Sequence, residues 1–212
     1  VEGDSVYAVN WIEPVSNNTY HAGPFSMRGG GEVMYYSANV RKPGKKPSGV
    51  DYPAVLWVYE VSKLEKGWSD PRALPFNSLE YTCTHPAISA DGRQLFFSSN
   101  RPGGHGGMDI WMCEWQLNHW SEPVCLPEQI NTSSDETFPY SASDGKLFFS
   151  SNGRPGLGGY DLFETMQVAS SWLTAENMGY PVNSPKDDFG VCFNPEIGEG
   201  YFTSNRKEGG YM

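Results

Sequence analysis

One stretch, residues 89–101 (SADGRQLFFSSNR), returns three more times and leaves this chain few folds to choose from. It recurs as residues 141–152 (SASDGKLFFSSN) and, diverged, as residues 193–206 (FNPEIGEGYFTSNR) and 26–39 (SMRGGGEVMYYSAN). Each copy reads as a strand, a tight turn carrying glycine, and an aromatic strand that ends in Ser/Ala-Asn. Asp91-Gly92 and Asp144-Gly145, set between apolar runs, signal hairpins, because both central residues of the favoured turn need positive φ. A second series keeps the same period: Trp11, Trp68, Trp120 and Trp172 stand 57, 52 and 52 residues apart. The first three share a frame, WIEPV, WSDPR and WSEPV. Self-similarity at such a period is the mark of a repeat architecture.

One whole unit lies between Trp68 and Trp120. An extended segment reaches Pro75, and a polar turn follows at Asn77-Ser78. Next come a strand from His85, the Asp91-Gly92 turn, the strand of residues 95–99, a glycine-rich loop and a strand from Asp109. No segment carries an amphipathic helical period, and the abundance of turn residues (24 Gly, 16 Pro) fits short strands. Four-stranded antiparallel units that are apolar on both faces must stack on one another, so the expected fold is all-β, a β-propeller. Residues 1–212 read as a single propeller domain excised from a larger multidomain protein. Four blades' worth of repeat is visible, or five with a further blade in a continuation. The chain starts and stops in mid-blade, so the N-terminal strand is expected to complete the sheet begun by the last residues and close the ring.

The run PAISADGRQLFFSSNR (residues 86–101) with GGMDIW (106–111), and its copy at residues 139–163, resemble the PD40 repeat, the WD40-like repeat of TolB-type propellers. The resemblance is strong for these two units, partial over residues 191–211 and weak over 24–59. The long SNRPGG form is most similar to propellers of OmpA-family envelope proteins of Bacteroidetes. One of these is the peptidoglycan-associated component of the type IX secretion system. The resemblance implies a periplasmic module, associated with the outer membrane through its parent protein, that acts as a scaffold for other envelope or secretion-system proteins. No OmpA-like module lies within the 212 residues, so peptidoglycan binding does not carry over.

A net charge of −10 argues against nucleic acid as a partner, since phosphate contacts need a basic surface. No apolar run approaches the roughly 18 residues of a membrane span, so direct membrane insertion is not expected. Cys83, Cys113, Cys125 and Cys192 lack CxxC spacing, which disfavours a zinc site. Cys113 and Cys125 flank a turn near His119 symmetrically; a hairpin disulfide and four free thiols both remain open.

Asp109 and Asp161 follow Gly-Gly-x and open a strand. Because they repeat, they are read as caps for the backbone N–H groups of the glycine loop rather than as a cation or ligand site. Asn100, Asn152, Asn205 and the four register tryptophans are read as structural in the same way. Asp135-Glu136 and Asp187-Asp188 occupy matching turns and are read as solvated loops rather than calcium ligands. His21 and His85 fall near equivalent pre-strand positions, which suggests packing near a blade edge, and no Ser-His-Asp or Cys-His arrangement appears. No catalysis, cofactor or metal is therefore expected.

The repeat fails most clearly after Asn39, where Arg41, Lys42, Lys45 and Lys46 gather on one loop of an acidic protein. Arg206 and Lys207 follow the equivalent asparagine. Together these six are expected to form a basic patch that docks an acidic partner surface. The first unit also lacks the usual aspartate before Leu56. The resulting expectation is a non-catalytic protein–protein interaction scaffold. The competing class is a glycan-binding or glycan-hydrolysing propeller that uses its central face. A carboxylate- and aromatic-lined central pocket favours the second class; a shallow or plugged channel favours the first.

Overall fold

The computed structural model describes residues 22–39, 55–194 and 199–207. They form successive antiparallel sheets, the blade arrangement of a β-propeller, each offset from the Trp68–Trp120 unit because the segment after Trp68 (Arg72–Ala73) pairs with the blade before it. Blade 1 holds β1 (Ala22–Arg28), β2 (Val33–Asn39), β3 (Leu56–Ser62) and β4 (Arg72–Ala73). Blade 2 holds β5 (Cys83–Ile88), β6 (Gln94–Ser99), β7 (Asp109–Gln116), β8 (His119–Trp120) and β9 (Val124–Cys125). Blade 3 repeats it as β10 (Glu136–Ser141), β11 (Lys146–Ser151), β12 (Asp161–Val168), β13 (Ser171–Trp172) and β14 (Glu176–Asn177). Blade 4 is described over β15 (Asp188–Asn194) and β16 (Glu199–Ser204). The strands proposed to close the ring, and Trp11 with them, lie outside the described residues.

The expected fourth strand is present but broken. In blade 2 its halves, β8 and β9, both pair with β7. The break holds Pro123, which has no N–H for the ladder, and Ser121, whose Oγ takes the Glu114 N–H instead (3.0 Å).

Alternation along the second strands, β6 and β11, makes these sheets apolar on both sides. Leu95 and Phe97 join Tyr35 and Val58 in the core between blades 1 and 2. Phe96, between them in sequence, joins Leu147, Phe149 and Phe163 in the core between blades 2 and 3. Phe148 and Leu162 then meet Val191 in the next. Each fully buried phenylalanine contributes about 1.5–3 kcal/mol by leaving water, so stacking is what stabilises a blade. The register tryptophans seal these cores. Trp120 stands edge-on to Tyr35 of the preceding blade (5.8 Å), and Trp172 edge-on to Phe96 (6.1 Å).

Strands β1, β5, β10 and β15 lie side by side in blade order, as the innermost strands around the propeller axis. Each is bulged, at Ala22/Phe25, Thr84/Ala87, Thr137/Tyr140 and Phe189/Cys192. The bulge places His85, Phe138 and Gly190 at φ near 51°, 51° and 67°. For bulky residues that backbone region is costly and marks a position with a purpose.

All four thiols are free. The β7–β9 register sets Cys125 opposite Trp111 rather than Cys113, so the symmetric spacing about the turn does not bring the two sulfurs together. Burial pushes the Cys113 thiol up to about 12 and the Cys83 thiol to about 11, which makes both inert at neutral pH.

Candidate functional site

The repeated polar residues serve the backbone. Asp109 is buried, and its Oδ2 accepts from the N–H groups of His105 (3.0 Å) and Gly106 (3.2 Å). Burial raises its carboxyl pKa, and those two N–H groups oppose the shift. Asp161 does the same for Leu157 and Gly158 (3.1 Å) and also receives Asn177 Nδ2 (3.1 Å). The glycines of the loop are needed for close approach. A Cβ on Gly104 would stand 2.0 Å from Asp109 Oδ2, and one on Gly156 1.9 Å from Asp161 Oδ2. On Gly106 it would meet the Thr132 carbonyl oxygen at 2.5 Å, and on Gly158 the Lys186 carbonyl oxygen at 2.0 Å. Those carbonyls belong to the turn that leads into the next blade.

The glycine loop is therefore a latch between blades. Gly107 N–H donates to Ser134 O (2.8 Å), Met108 N–H to Asp135 Oδ1 (2.8 Å), and Glu136 N–H back to Met108 O (2.6 Å). One unit later, Tyr160 N–H donates to Asp187 Oδ1 (3.0 Å) and Asp188 N–H to Tyr160 O (2.7 Å). Asn152 Oδ1 accepts from Asp135 N–H (2.9 Å), and Asn205 Nδ2 donates to Asp187 Oδ2 (2.9 Å), holding the latch turns in shape. Asn100 Oδ1 takes the Thr82 N–H (2.8 Å) at the equivalent turn of blade 2.

The two acidic pairs are not solvated loops. Glu136 and Asp188 are fully buried. Glu136 receives Thr132 N–H, Thr132 Oγ1 and Ser151 Oγ at 2.6–2.8 Å. Asp188 receives Ser184 N–H, Ser184 Oγ and Arg206 Nη2 at 2.7–2.8 Å. Burial pushes the Asp188 carboxyl upward, but bonds from Ser204, Arg206 and Ser184 outweigh it and hold the group below its ordinary value. The partners sit four residues upstream, on the next strand or just past its end, so the pairs look unpartnered until the strands are in register.

A further repeated clamp escaped the sequence reading. Asn77, Asn131 and Asn183 each accept the N–H of Val58, Ile110 or Leu162 (2.7–2.9 Å) and return Nδ2 to the same residue's carbonyl. Their spacing of 54 and 52 residues was the available signal. Register places Trp57 in the slot held by aspartate in later blades, and its indole Nε1 donates to Ser78 O (2.6 Å).

Of the expected basic patch, Arg41, Lys42, Lys45 and Lys46 lie outside the described residues. Arg206 is committed inside blade 4, to Asp188, Ser204 Oγ and the Pro181 and Val182 carbonyls. Lys207 is exposed.

The innermost strands line an axial cavity of about 280 Å³ that opens to solvent. His85 stacks on Phe138 (3.8 Å between ring centres), and Phe138 leans on Phe189 (5.2 Å). Gly190 stands where blades 2 and 3 carry a ring. Ser26, Tyr140, Cys192 and Thr203 add polar atoms, and no carboxylate is among the described residues lining it. The His85 Nδ1 atom is enclosed without a partner, while part of the ring faces the cavity. Burial lowers its pKa to about 4, so the imidazole is neutral at pH 7. His85-Pro86 and Phe138-Pro139, 53 residues apart, were the legible trace of this feature. No group of three His, Cys, Asp or Glu side chains suited to a metal occurs among the described residues.

No family model matches this chain, and no curated protein does. Among solved structures it is similar to a putative TolB from Agrobacterium tumefaciens, at 16% identity and a TM-score of 0.49, over 77% of this chain and 50% of that one. It is also similar to prolyl oligopeptidase B from Galerina marginata (12% identity, TM-score 0.46, 86% and 24% of the two chains). An α-L-arabinofuranosidase from Lactobacillus brevis is a third (13%, 0.43, 81% and 60%). The chain thus spans about half the length of the TolB structure and about a quarter of the oligopeptidase. The propeller assignment rests on the sheets themselves.

Proposed function

We propose that this chain is a non-catalytic protein-docking propeller of the bacterial cell envelope, carried in the periplasm by a larger, outer-membrane-associated protein. One observation carries the reading. The repeated pairs Asp109/Asp161 and Glu136/Asp188 and the repeated Asn77, Asn131 and Asn183 are all bound to backbone groups within a blade or across a junction, so this chemistry makes a rigid frame and leaves recognition to other side chains. The PD40 resemblance supplies the envelope context. The non-repeated cations Arg41, Lys42, Lys45 and Lys46, together with the exposed Lys207, then form the surface for an acidic partner. Capture from envelope extracts with the propeller as bait tests this. Lys45→Glu with Lys46→Glu should abolish recovery of a partner that the unaltered propeller retains at low salt; undiminished recovery overturns the assignment.

A second reading, glycan binding at the central face, has the stacked His85–Phe138 pair in its favour, since an aromatic wall suits the apolar face of a sugar ring. Hydrolysis would need a facing pair of carboxyl groups. Calorimetric titration of neutral oligosaccharides against wild type and Phe138→Ala distinguishes the two readings: saturable heat lost in the variant supports the glycan reading, and no heat in either supports protein docking alone.

A further inference from the structure

Two blade junctions can be superposed residue by residue at their hairpin ends, and they differ. Tyr35–Trp120 at one and Phe96–Trp172 at the other are the same edge-on pair and fix the correspondence. Strand pairing then matches Trp115, opposite Trp120, with Gln167, opposite Trp172. It likewise matches Arg28, at the end of β1, with Ser89, which follows β5.

Between blades 1 and 2, the Arg28 guanidinium lies over the Trp115 ring, 4.6 Å from its centre. It reaches the turn of blade 2, where a Cβ on Gly92 would stand 2.8 Å from Arg28 Nε. Between blades 2 and 3 both side chains of that stack are missing. Ser89 is short and turned into its own hairpin, bonding Asp91 and the N–H groups of Arg93 and Gln94. Gln167 replaces the indole, and Gly145, the counterpart of Gly92, has nothing within 4 Å of its Cβ position. What remains is a cleft of about 330 Å³.

The walls of the cleft suit a planar cation. Trp172, half-buried, offers a ring. Asp91 uses Oδ1 for Ser89 Oγ (2.6 Å) and Arg93 N–H (3.0 Å), leaving Oδ2 without a partner among the described residues. Its pKa is lowered, first by the Ser89 bond and then by Arg93 N–H, so it is ionised at neutral pH. Gln94 and Gln167 contribute amide oxygens, and Ser143 a hydroxyl. Lys146 is held by Glu164 (2.9 Å), and Arg93 does not line the cleft. A guanidinium has a flat face for the indole and edge N–H donors for a carboxylate and amide oxygens. It is also the group this chain itself places in the matching position of the neighbouring junction.

We propose that the hairpin end of the junction between blades 2 and 3 receives an arginine side chain of a protein partner, in the position that Arg28 fills from within between blades 1 and 2. This rests on the docking reading above and adds a second contact, at the hairpin end of the blades.

Titration of the ¹⁵N-labelled protein with N-acetyl-arginine-amide at low ionic strength tests it. The indole resonance of Trp172, assigned by its loss in Trp172→Phe, should shift saturably at millimolar ligand. The isosteric, uncharged citrulline derivative should bind at least about tenfold more weakly, and Asp91→Asn should weaken arginine binding by a similar factor. Gln167→Trp restores the ring on which Arg28 lies in the neighbouring junction and should tighten arginine binding while the protein remains folded. No saturable shift, equal binding of citrulline, or a shift produced by neutral sugars instead would each overturn the proposal. Because the readout is the Trp172 resonance, its failure leaves the Lys45/Lys46 capture result standing independently.

Discussion

The two ends of a blade junction obey different rules. At the glycine-loop end, the junction between blades 2 and 3 and that between blades 3 and 4 are built alike. In each, a glycine lies against the next blade's carbonyls and an aspartate takes the N–H of Met108 or Tyr160. At the hairpin end the junctions differ: one is filled by Arg28 over Trp115, and the next is left open over Trp172. Backbone contacts at van der Waals limits admit no substitution, whereas side chains over a ring can be exchanged or removed without disturbing the sheet. Stability is thus concentrated at one end, and the freedom to vary, from which recognition is built, at the other.

The contrast is sharpest at its glycines. Gly158→Ala would put a methyl group 2.0 Å from the Lys186 carbonyl oxygen and force the blades apart. We expect a loss of about 3 kcal/mol or more in urea unfolding. Gly145→Ala, at the open hairpin end, meets only the strain of a positive φ and should cost about 1 kcal/mol. Equal effects would erase the distinction between the two ends.

The axial stack should respond to pH. With a folded pKa of about 4 against roughly 6.5 in the unfolded chain, His85 binds its proton more readily when unfolded. Its contribution is therefore complete above pH 6.5 and is lost as pH falls towards 4, by at most about 3 kcal/mol, less for the part of the ring facing cavity water. His85→Phe, which copies Phe138, should flatten the stability profile over that window; an unchanged slope would show that the imidazole does not titrate there.

Asp161→Ala removes the cap of the Leu157 and Gly158 N–H groups and should cost about 1–3 kcal/mol by thermal or urea unfolding. The smallest expected effect is Gln167→Trp. By recreating against Trp172 the edge-on contact that Trp115 makes with Trp120 (5.0 Å), it should leave stability unchanged or raise it by about 1 kcal/mol, with the melting temperature as readout.

Much of this frame was legible from residues alone. Asp-Gly between apolar runs announces its hairpin, and a carboxylate after Gly-Gly-x has loop N–H groups within its own few residues to cap. Both depend on near neighbours in sequence. Gly106, Glu136 and Asp188 were opaque for the opposite reason. What they touch (the Thr132 carbonyl, Ser151, Arg206) is set by strand register and by the next blade, which no local pattern encodes. The open cleft was hidden more deeply. Ser89 and Gln167 are unremarkable until Arg28 and Trp115 are seen to hold the same two places.

The latch also has a direction. A unit offers its glycine loop forward and presents its aspartate-bearing turn backward, so two units join in one order only. A duplicated unit therefore arrives with both halves of a working joint already encoded. Such a chain can lengthen by copying, one blade at a time, without a new interface having to be invented, and each copy is then free to drift at its hairpin end.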